Sequence, residues 1–266
     1  MPRFALCQVT SSDQADENIE LIRNRTREAA EQGARVVVFP EAMMTRFGTP
    51  LAPVAEPLDG PWAQAVAAIA QQHGVLIVAG MFTPAYDGRV YNTALVTGDD
   101  IHTGYNKIHL YDAFGFQESD TVAGGFKIMT VEVDDLVVGV ATCYDLRFPE
   151  LFQALADAGS SVVLTPASWG AGPGKREQWE LLARARALDS GSWVLACDQA
   201  DPQVTGTEVN PKAPTGIGYS TVVDPYGQQR DTLAAGPDTL LVDVDAELAE
   251  QSRADTAVLL NRRLGR

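Results

Sequence analysis

The hydrophobic residues of this chain form short, continuous apolar runs that are separated by longer amphipathic segments. Runs such as 36–39 and 75–79 contain no alternating polar position, which is typical of strands covered on both faces. This pattern predicts strands at residues 3–9, 36–39, 75–79, 90–97, 128–133, 137–141, 162–164, 193–198, 217–223 and 239–244.

The amphipathic segments between these strands predict helices at residues 15–32, 61–72, 149–158 and 175–190. Each helix ends within two residues of a glycine, which readily adopts the left-handed conformation that terminates helices. Strands that alternate with helices of this length indicate an α/β fold. No internal repeat or convincing linker divides the chain, so we expect one domain over residues 1–266.

The charge balance excludes two classes of partner. The chain has 20 Lys and Arg residues against 35 Asp and Glu residues, a formal net charge of −15. Such an acidic excess disfavours binding to nucleic acid or to anionic membranes. No apolar run approaches the roughly 18 residues of a membrane span. The N-terminal segment resembles a strand rather than a signal peptide, so we expect a cytoplasmic protein.

The cysteines and glycines give no sign of a metal or cofactor site. The three cysteines, at positions 7, 143 and 197, are too few and too widely spaced for a disulfide scaffold or a zinc module. No segment has the spacing of metal ligands, a phosphate-binding loop or a dinucleotide fingerprint. We therefore expect neither a metal nor a cofactor.

Two charged residues stand out because of their position in the pattern. Glu41 follows the apolar run 36–39, and pockets of open α/β sheets lie at the carboxyl ends of strands. Lys107, one of four lysines, lies among the apolar and aromatic residues of 105–110, which favours a partly desolvated ammonium. The alternatives are a solvated glutamate in a turn and a surface lysine whose stem covers apolar neighbours.

Cys143 is the strongest candidate for a nucleophile. It lies between the apolar run 137–141 and a helix predicted to begin near Pro149. A strand-to-helix turn of this kind presents a reactive atom, and the backbone N–H that follows faces developing negative charge. The alternative is a buried, inert thiol, which is the interpretation we prefer for Cys7 and Cys197.

A reactive cysteine is often paired with a histidine, and the chain contains His73, His102 and His109. His73 is predicted at the C-terminal end of a helix and His102 in a hairpin. His109 is two residues from Lys107, and we expect it to support the site through a hydrogen bond rather than to act as the base.

Read together, the three positions resemble the catalytic set of the nitrilase superfamily of carbon–nitrogen hydrolases. Glu41 follows Phe-Pro, Lys107 precedes Ile-His-Leu, and Cys143 opens Cys-Tyr-Asp-Leu-Arg-Phe-Pro-Glu-Leu, at spacings of 66 and 36 residues. Segments 166–169, 179–189, 218–227 and 258–263 extend the likeness over nearly the whole chain. Within the superfamily the chain is most similar to the Nit branch, and in particular to bacterial deaminated glutathione amidases.

The resemblance implies a fold and an assembly that the hydrophobic pattern does not provide. The expected fold is a four-layer αββα sandwich with two mixed sheets, and the expected assembly is a homodimer. The resemblance also implies that Cys143 is the nucleophile, Glu41 the general base and Lys107 the oxyanion-stabilising cation. Glu118 matches a second glutamate of the family that supports Lys107, although an exposed loop residue is the alternative.

The implied substrate is a small anionic amide, with deaminated glutathione first and the ω-amidase substrates 2-oxoglutaramate and 2-oxosuccinamate as alternatives. Other superfamily amidases, nitrilases and a catalytically silent partner-binding protein share the same fold. The expected substrate-binding residues are Tyr144, whose N–H faces the oxyanion, Arg147, which holds a carboxylate, and the pocket-lining residues Tyr111, Phe114 and Trp169. Arg147 has an alternative role as a structural partner of Asp145 or Glu150. Segment 43–57 matches no pattern of the family.

Overall fold

The computed structural model describes residues 1–210 and 212–263. Its helices are α1 Ala15–Glu31, α2 Pro61–His73, α3 Pro149–Asp157, α4 Lys175–Ser190, α5 Pro202–Thr205 and α6 Ala246–Thr256. Its strands are β1 Arg3–Gln8, β2 Val36–Val38, β3 Leu76–Pro84, β4 Val90–Gly98, β5 Ile101–Asn106, β6 Asp112–Ala113, β7 Phe116–Gln117, β8 Val122–Ala123, β9 Thr130–Val133, β10 Leu136–Val140, β11 Val162–Ala167, β12 Trp193–Asp198, β13 Thr221–Val223, β14 Gln229–Thr232 and β15 Asp238–Asp243.

The strands form two large mixed sheets with the same plan. In the first sheet the order is β15-β1-β2-β3-β4-β5, with β8 also paired to β4; in the second it is β14-β13-β12-β11-β10-β9. The central strands of each sheet are parallel, namely β1, β2 and β3 in the first and β10, β11 and β12 in the second. Antiparallel strands flank each parallel centre, and β6 pairs with β7 in a separate hairpin.

The side chains of each strand alternate between two hydrophobic layers. Ala5 and Cys7 of β1 pack in the layer that contains α1 and α2, while Phe4 and Leu6 pack between the two sheets. In the second sheet, Val163 packs in a layer with residues of α3 and α4. Because successive strand residues face opposite sides, both sheets are covered on both faces. The order is helix, sheet, sheet, helix, which confirms the expected αββα sandwich.

The predicted helices are present, and most predicted strands are recovered with shifted ends. The interval 217–223 is wrong as a strand over its first half, because β13 begins only at Thr221. Gly218 and Tyr219 have positive φ values of 76° and 57°, so the chain is not extended there. The prediction omitted α6, in which Ala249 and Ser252 are the buried residues, so no apolar stripe marks it. Within the part of the chain that the structure describes, no helix is long and apolar enough to span a membrane.

Candidate active site

Glu41 lies three residues beyond β2, in a loop that packs tightly against β3. Ala42 has a positive φ of 60°, and a Cβ on Gly80 of β3 would lie 2.3 Å from the Ala42 nitrogen. Only glycine permits that approach. Gln199 Nε2 donates to the Glu41 carbonyl at 2.9 Å. The backbone that carries the Glu41 carboxylate is therefore held from two sides.

Lys107 is clamped between two buried carboxylates. It follows β5 directly, and its N–H donates to the Asn92 carbonyl at 2.9 Å. Its Nζ lies 2.9 Å from Glu41 Oε1, and 3.1 and 2.9 Å from the two carboxylate oxygens of Glu118. The three side chains are only 1–3% exposed. The structure thus brings together three charged residues that were singled out in the sequence.

Asn92, the third residue of β4, completes this network and was missed in the sequence. Its Nδ2 donates to Glu41 Oε1 at 2.7 Å and to Glu118 Oε1 at 3.0 Å. Glu118 Oε2 accepts a further hydrogen bond from the Tyr111 N–H at 2.6 Å. Since buried carboxylates are costly unless they are paired and hydrogen-bonded, these contacts explain how two of them are tolerated side by side.

The burial of this network sets its protonation. Desolvation raises the pKa of Glu41, assisted by the Glu118 charge and opposed by Lys107. Desolvation acts to lower the pKa of Lys107, but Glu118 and Glu41 together outweigh it and hold that pKa well above its usual value. Lys107 is therefore a permanent cation, and Glu41 is a stronger base than an exposed glutamate.

Cys143 lies in the predicted strand-to-helix turn. It follows β10, has a positive φ of 47°, and begins a 3₁₀ turn, Cys143–Arg147, that leads into α3. Asp145 holds this turn, because its Oδ2 accepts from the Thr142 N–H at 2.9 Å and from the Tyr105 hydroxyl at 2.7 Å. His109 Nδ1 lies 2.7 Å from Asp145 Oδ1, so His109 has the supporting position that was expected of it.

The thiol of Cys143 is protonated at rest. Desolvation, together with the nearby Glu41 charge, raises the pKa of Cys143 well above its usual value, despite the opposing effect of Lys107. Sγ lies 3.7 Å from the Ser168 carbonyl, and the Ser168 N–H donates to Glu41 Oε2 at 2.8 Å. The segment after β11 therefore contacts both the thiol and the carboxylate. A nucleophilic thiolate would form here only by proton transfer to a base.

Asp198, at the end of β12, fixes the segment that carries Ser168. Its two carboxylate oxygens accept from the Trp169 N–H at 2.7 Å and from the Ile217 N–H at 2.9 Å. Burial raises the pKa of Asp198 to about 7. Asp198 and Ser168 were both missed in the sequence. Their contacts with Glu41 and Trp169 form only because the ends of β2, β11 and β12 lie close together in the fold.

The carboxylates and the thiol open into one pocket of about 360 Å³. Among the residues expected at the substrate, Tyr111, Tyr144, Arg147 and Trp169 line it. Phe114 lies outside it and is 72% exposed, lining a larger open cleft of about 1660 Å³ that shares Tyr111 and Lys175 with the pocket. Phe47 also lines the pocket, so segment 43–57 reaches the site.

Two further cations line the pocket. The alternative of an Arg147 pair with Asp145 or Glu150 is wrong: Arg147 Nη2 donates to Gln178 Oε1 at 2.7 Å. Its guanidinium lies over the rings of Tyr144 and Trp169, and its buried Nε has no partner among the described residues. The second cation is Lys175, the first residue of α4, which was missed although lysines are rare in this chain.

The remaining cysteines are buried in the core. Cys7 faces the α1–α2 layer, and Cys197 lies between the sheets with its Sγ 3.3 Å from the Val38 carbonyl. Desolvation raises the pKa of Cys7 to about 12 and that of Cys197 well above its usual value. Residues 1–210 and 212–263 contain no cluster of three or more His, Cys, Asp and Glu side chains suited to a metal ion.

Sequence comparison finds relatives along almost the full chain. A hydrolase from Mycobacterium tuberculosis, Rv0480c, is 49% identical over 98% of this chain and 95% of its own length. A deaminated glutathione amidase from Escherichia coli O157:H7 is 33% identical over 93% of this chain and 92% of its own length. The mouse omega-amidase NIT2 is 31% identical over 98% of this chain and 95% of its own length.

Solved structures and a family profile agree with these relatives. Saccharomyces cerevisiae Nit3, of branch 10 of the nitrilase superfamily, superposes with a TM-score of 0.84 at 25% identity, covering 100% of this chain and 97% of Nit3. The C. elegans NitFhit protein gives 0.87 at 26% identity, over 98% of this chain and 65% of NitFhit. The profile described as Carbon-nitrogen hydrolase matches residues 3–254. The chain therefore belongs to the carbon–nitrogen hydrolases of the nitrilase superfamily.

Proposed function

We propose that this protein is an amidase that hydrolyses a small carboxylated amide through a Cys143 thioester, with deaminated glutathione as its substrate. The observation that carries the proposal is the shared pocket of Glu41, Lys107, Glu118 and Cys143, in which a permanent buried cation lies beside a carboxylate base and a thiol. Amide hydrolysis needs a nucleophile, a base and a positive charge for the oxyanion, and this pocket holds all three.

In the first step, Cys143 Sγ attacks the carbonyl carbon of the amide while Glu41 accepts the thiol proton. Because the pKa of Cys143 is raised, the thiol needs this base, and the raised pKa of Glu41 suits it to take the proton. The C–S bond forms as the carbonyl π bond opens, which places the negative charge on oxygen.

The oxyanion is stabilised by the Lys107 ammonium and by the backbone N–H of Tyr144. Glu118 and Asn92 hold Lys107 and Glu41 before the substrate arrives, so little reorganisation is needed. The intermediate collapses by breaking the C–N bond, and Glu41 returns its proton to the departing amine. The products of this half-reaction are the free amine and a Cys143 thioester.

Water then releases the acid. Glu41, again ionised, removes a proton from water as its oxygen attacks the thioester carbon, and Lys107 stabilises the second oxyanion. The C–S bond breaks, and the sulfur recovers the proton held by Glu41. The balance is one amide and one water consumed for one carboxylic acid and one amine, with Cys143 restored.

The charge of the pocket wall supports an anionic substrate. The protein has a net charge of −15, yet Arg147 and Lys175 both face this pocket. Arg147 lines the pocket, its buried Nε has no hydrogen-bond partner among the described residues, and guanidinium groups bind carboxylates through two hydrogen bonds. We assign Arg147 to the carboxylate of the keto-acid part of the substrate, with Tyr111 and Trp169 as the apolar walls.

The alternative substrates are 2-oxoglutaramate and 2-oxosuccinamate, from which ammonia leaves instead of an amine. They present the same keto-acid carboxylate to Arg147, and a relative with 31% identity is an omega-amidase. A nitrile substrate or a silent partner-binding role shares the fold, but a silent protein would not need two buried carboxylates held against a lysine.

The deciding experiment measures kcat/KM of the purified protein for deaminated glutathione and for 2-oxoglutaramate side by side. We expect deaminated glutathione to be preferred by more than about tenfold, which corresponds to 1.4 kcal/mol of transition-state binding. A reversed preference would assign ω-amidase activity. No turnover and no acyl adduct on Cys143 by mass spectrometry, with either amide, would overturn the amidase function.

The homodimer and the cytoplasmic location stay part of the proposal. Leu181 and Leu188, seven residues apart on α4, are 65% and 48% exposed, and such an apolar pair on one helix face suits a contact with a second copy. Sedimentation of the wild type against Leu181→Glu tests this, because a charged residue at the contact should shift a dimer toward monomer.

A further inference from the structure

Lys175 is a buried cation without a counter-charge. The residue is 7% exposed, and it pairs with no carboxylate in the described parts of the chain. Its polar contact is the Tyr111 hydroxyl at 3.3 Å, and its Nζ lies 3.5 Å from the centre of the Phe114 ring. Aromatic faces attract a cation, but they replace only part of the hydration that burial removes.

The surroundings of Lys175 add to this cost. The positive charge of Arg147 acts on it, and desolvation together with that charge lowers the pKa of Lys175. Lys175 is also the first residue of α4, where the helix dipole is positive and a cation is unfavourable. Three separate effects therefore disfavour an ammonium at this position in the free protein.

The backbone nevertheless holds Lys175 at this place. The Lys175 carbonyl accepts from Trp169 Nε1 at 3.0 Å, and its N–H donates to the Gly172 carbonyl at 3.2 Å. Trp169 itself lines the pocket. The backbone of Lys175 is thus held by the segment that follows β11, which keeps a costly charge beside the site.

Lys175 lines both the pocket and the larger cleft outside it. The amine released from the first half-reaction must leave before water reaches the thioester, so the amine part of the substrate points toward the open side. Lys175 lies between the pocket and the outer cleft, where the amine part would be. Glu41, Lys107 and Cys143 line the pocket but not the outer cleft.

We propose that Lys175 is a specificity-determining residue that binds a carboxylate on the amine part of the substrate. The assignment rests on the proposed amidase function and deepens it. The anion supplies the missing counter-charge, and Arg147 remains the partner of the acyl-side carboxylate. The preferred substrates are then amides of a carboxylated amine, and primary amides, which release ammonia, leave Lys175 unpaired.

The test uses two substrates that differ only in this carboxylate: deaminated glutathione and its C-terminal carboxamide. The quantity measured is the ratio of their kcat/KM values. We expect the wild type to prefer the acid, Lys175→Met to lower the ratio about 10- to 100-fold, and Lys175→Arg to restore most of it. Lys127→Met, which removes the same charge at an exposed position that does not line the pocket, should leave the ratio unchanged.

The outcomes separate this assignment from the function on which it rests. Turnover by the wild type with the same ratio in Lys175→Met would overturn the role of Lys175 and leave the amidase function standing. A wild type that hydrolyses neither amide would overturn the proposed function, and the assignment with it. A ratio lowered equally by Lys127→Met would reduce the effect to overall charge and also overturn it.

Thermal stability provides a readout that does not depend on catalysis. Since Lys175 is uncompensated in the free protein, Lys175→Met should have a higher Tm than the wild type, and Lys127→Met should not. A clear fall in the Tm of Lys175→Met would show that the ammonium is already satisfied by the protein, which would overturn the proposal.

Discussion

The two groups of charged residues that line the pocket differ in how their charges are paired. On one wall, Lys107 has carboxylate oxygens of Glu41 and Glu118 at 2.9 Å, and Asn92 bridges the two acids. On the other wall, Arg147 has one hydrogen bond to Gln178 and an unused Nε, and Lys175 lies against aromatic rings. We call these the clamped wall and the cationic wall.

This difference indicates that the clamped wall carries out the chemical step and that the cationic wall binds the substrate. Groups that stabilise a transition state work best when their partners hold them in place beforehand, as on the clamped wall. Groups that recognise a ligand keep unsatisfied hydrogen-bonding capacity, which the ligand then completes, as on the cationic wall. Substitutions on the clamped wall should therefore lower kcat, and substitutions on the cationic wall should raise KM.

The largest effect is expected for Cys143→Ala, which removes the nucleophile beside the clamped wall. Hydrolysis should fall by at least about 10⁴-fold, because no other thiol faces the pocket among the described residues. The free energy of unfolding should change by less than about 1 kcal/mol, because Cys143 lines the pocket and its truncation leaves no closed cavity in the core. Retained activity would contradict the mechanism.

Cys7→Ala is the matched control for that experiment. Cys7 is fully buried in the α1–α2 layer and does not line the pocket. We expect normal turnover and a loss of about 1–2 kcal/mol in the free energy of unfolding. The two variants should thus show opposite combinations of activity and stability, measured by steady-state kinetics and urea unfolding.

Glu118→Gln should have the next largest effect. It leaves Lys107 with Glu41 as its one carboxylate partner, so the cation is drawn toward the base and away from the oxyanion. We expect kcat to fall about 100-fold with little change in KM. Glu132→Gln, an exposed carboxylate on β9, should behave as the wild type. A rise in KM with normal kcat would show that Glu118 binds the substrate, and would contradict the division of roles between the two walls.

The clamped wall could be predicted from the sequence to a larger extent than the cationic wall. Glu41, Lys107 and Cys143 each directly follow an apolar run or precede a marked turn, so local pattern and family resemblance both point to them. Asn92 lies inside β4 between Tyr91 and Thr93, and nothing local distinguishes it. Its role depends on the pairing of strands, which one sequence does not reveal.

The cationic wall was predicted only at Arg147, and its alternative partners were wrong. Gln178 and Lys175 reach Arg147 and the pocket through the position of α4, which is a tertiary feature. The same limit applies to the fold. Apolar runs predict strands covered on both faces, but they do not state whether a helix or a second sheet covers them. The αββα order came from the resemblance.

Arg147→Met tests the cationic wall directly. Loss of a charged hydrogen-bonding partner is worth about 1.5–3 kcal/mol, so KM for an amide with an acyl-side carboxylate should rise about 10- to 150-fold. We expect kcat to change much less. Arg23→Met, on the exposed side of α1, is the control for net charge. A fall in kcat without a rise in KM would show that Arg147 belongs to the chemical step.

The pH profile of kcat/KM tests the clamped wall by a second route. Glu41 must be ionised to accept the thiol proton, so activity falls as the pH drops through its pKa, which is raised. The midpoint of the acid limb should therefore lie at a higher pH than the pKa of an ordinary glutamate. Glu118→Gln removes a charge that raises this pKa and should move the acid limb to lower pH. An unchanged limb would mean that another group controls it.

The smallest effect is expected for Gln178→Ala, which removes the hydrogen bond at 2.7 Å that Arg147 Nη2 donates to Gln178. A hydrogen bond to a charged group contributes about 1.5–3 kcal/mol, but the freed guanidinium still faces the pocket, so only part of this energy is lost from substrate binding. KM should therefore rise about two- to tenfold, with kcat unchanged. Gln251→Ala, on the exposed face of α6, is the control. An effect as large as that of Arg147→Met would show that Gln178 contacts the substrate itself, and the cationic wall would then include a neutral group.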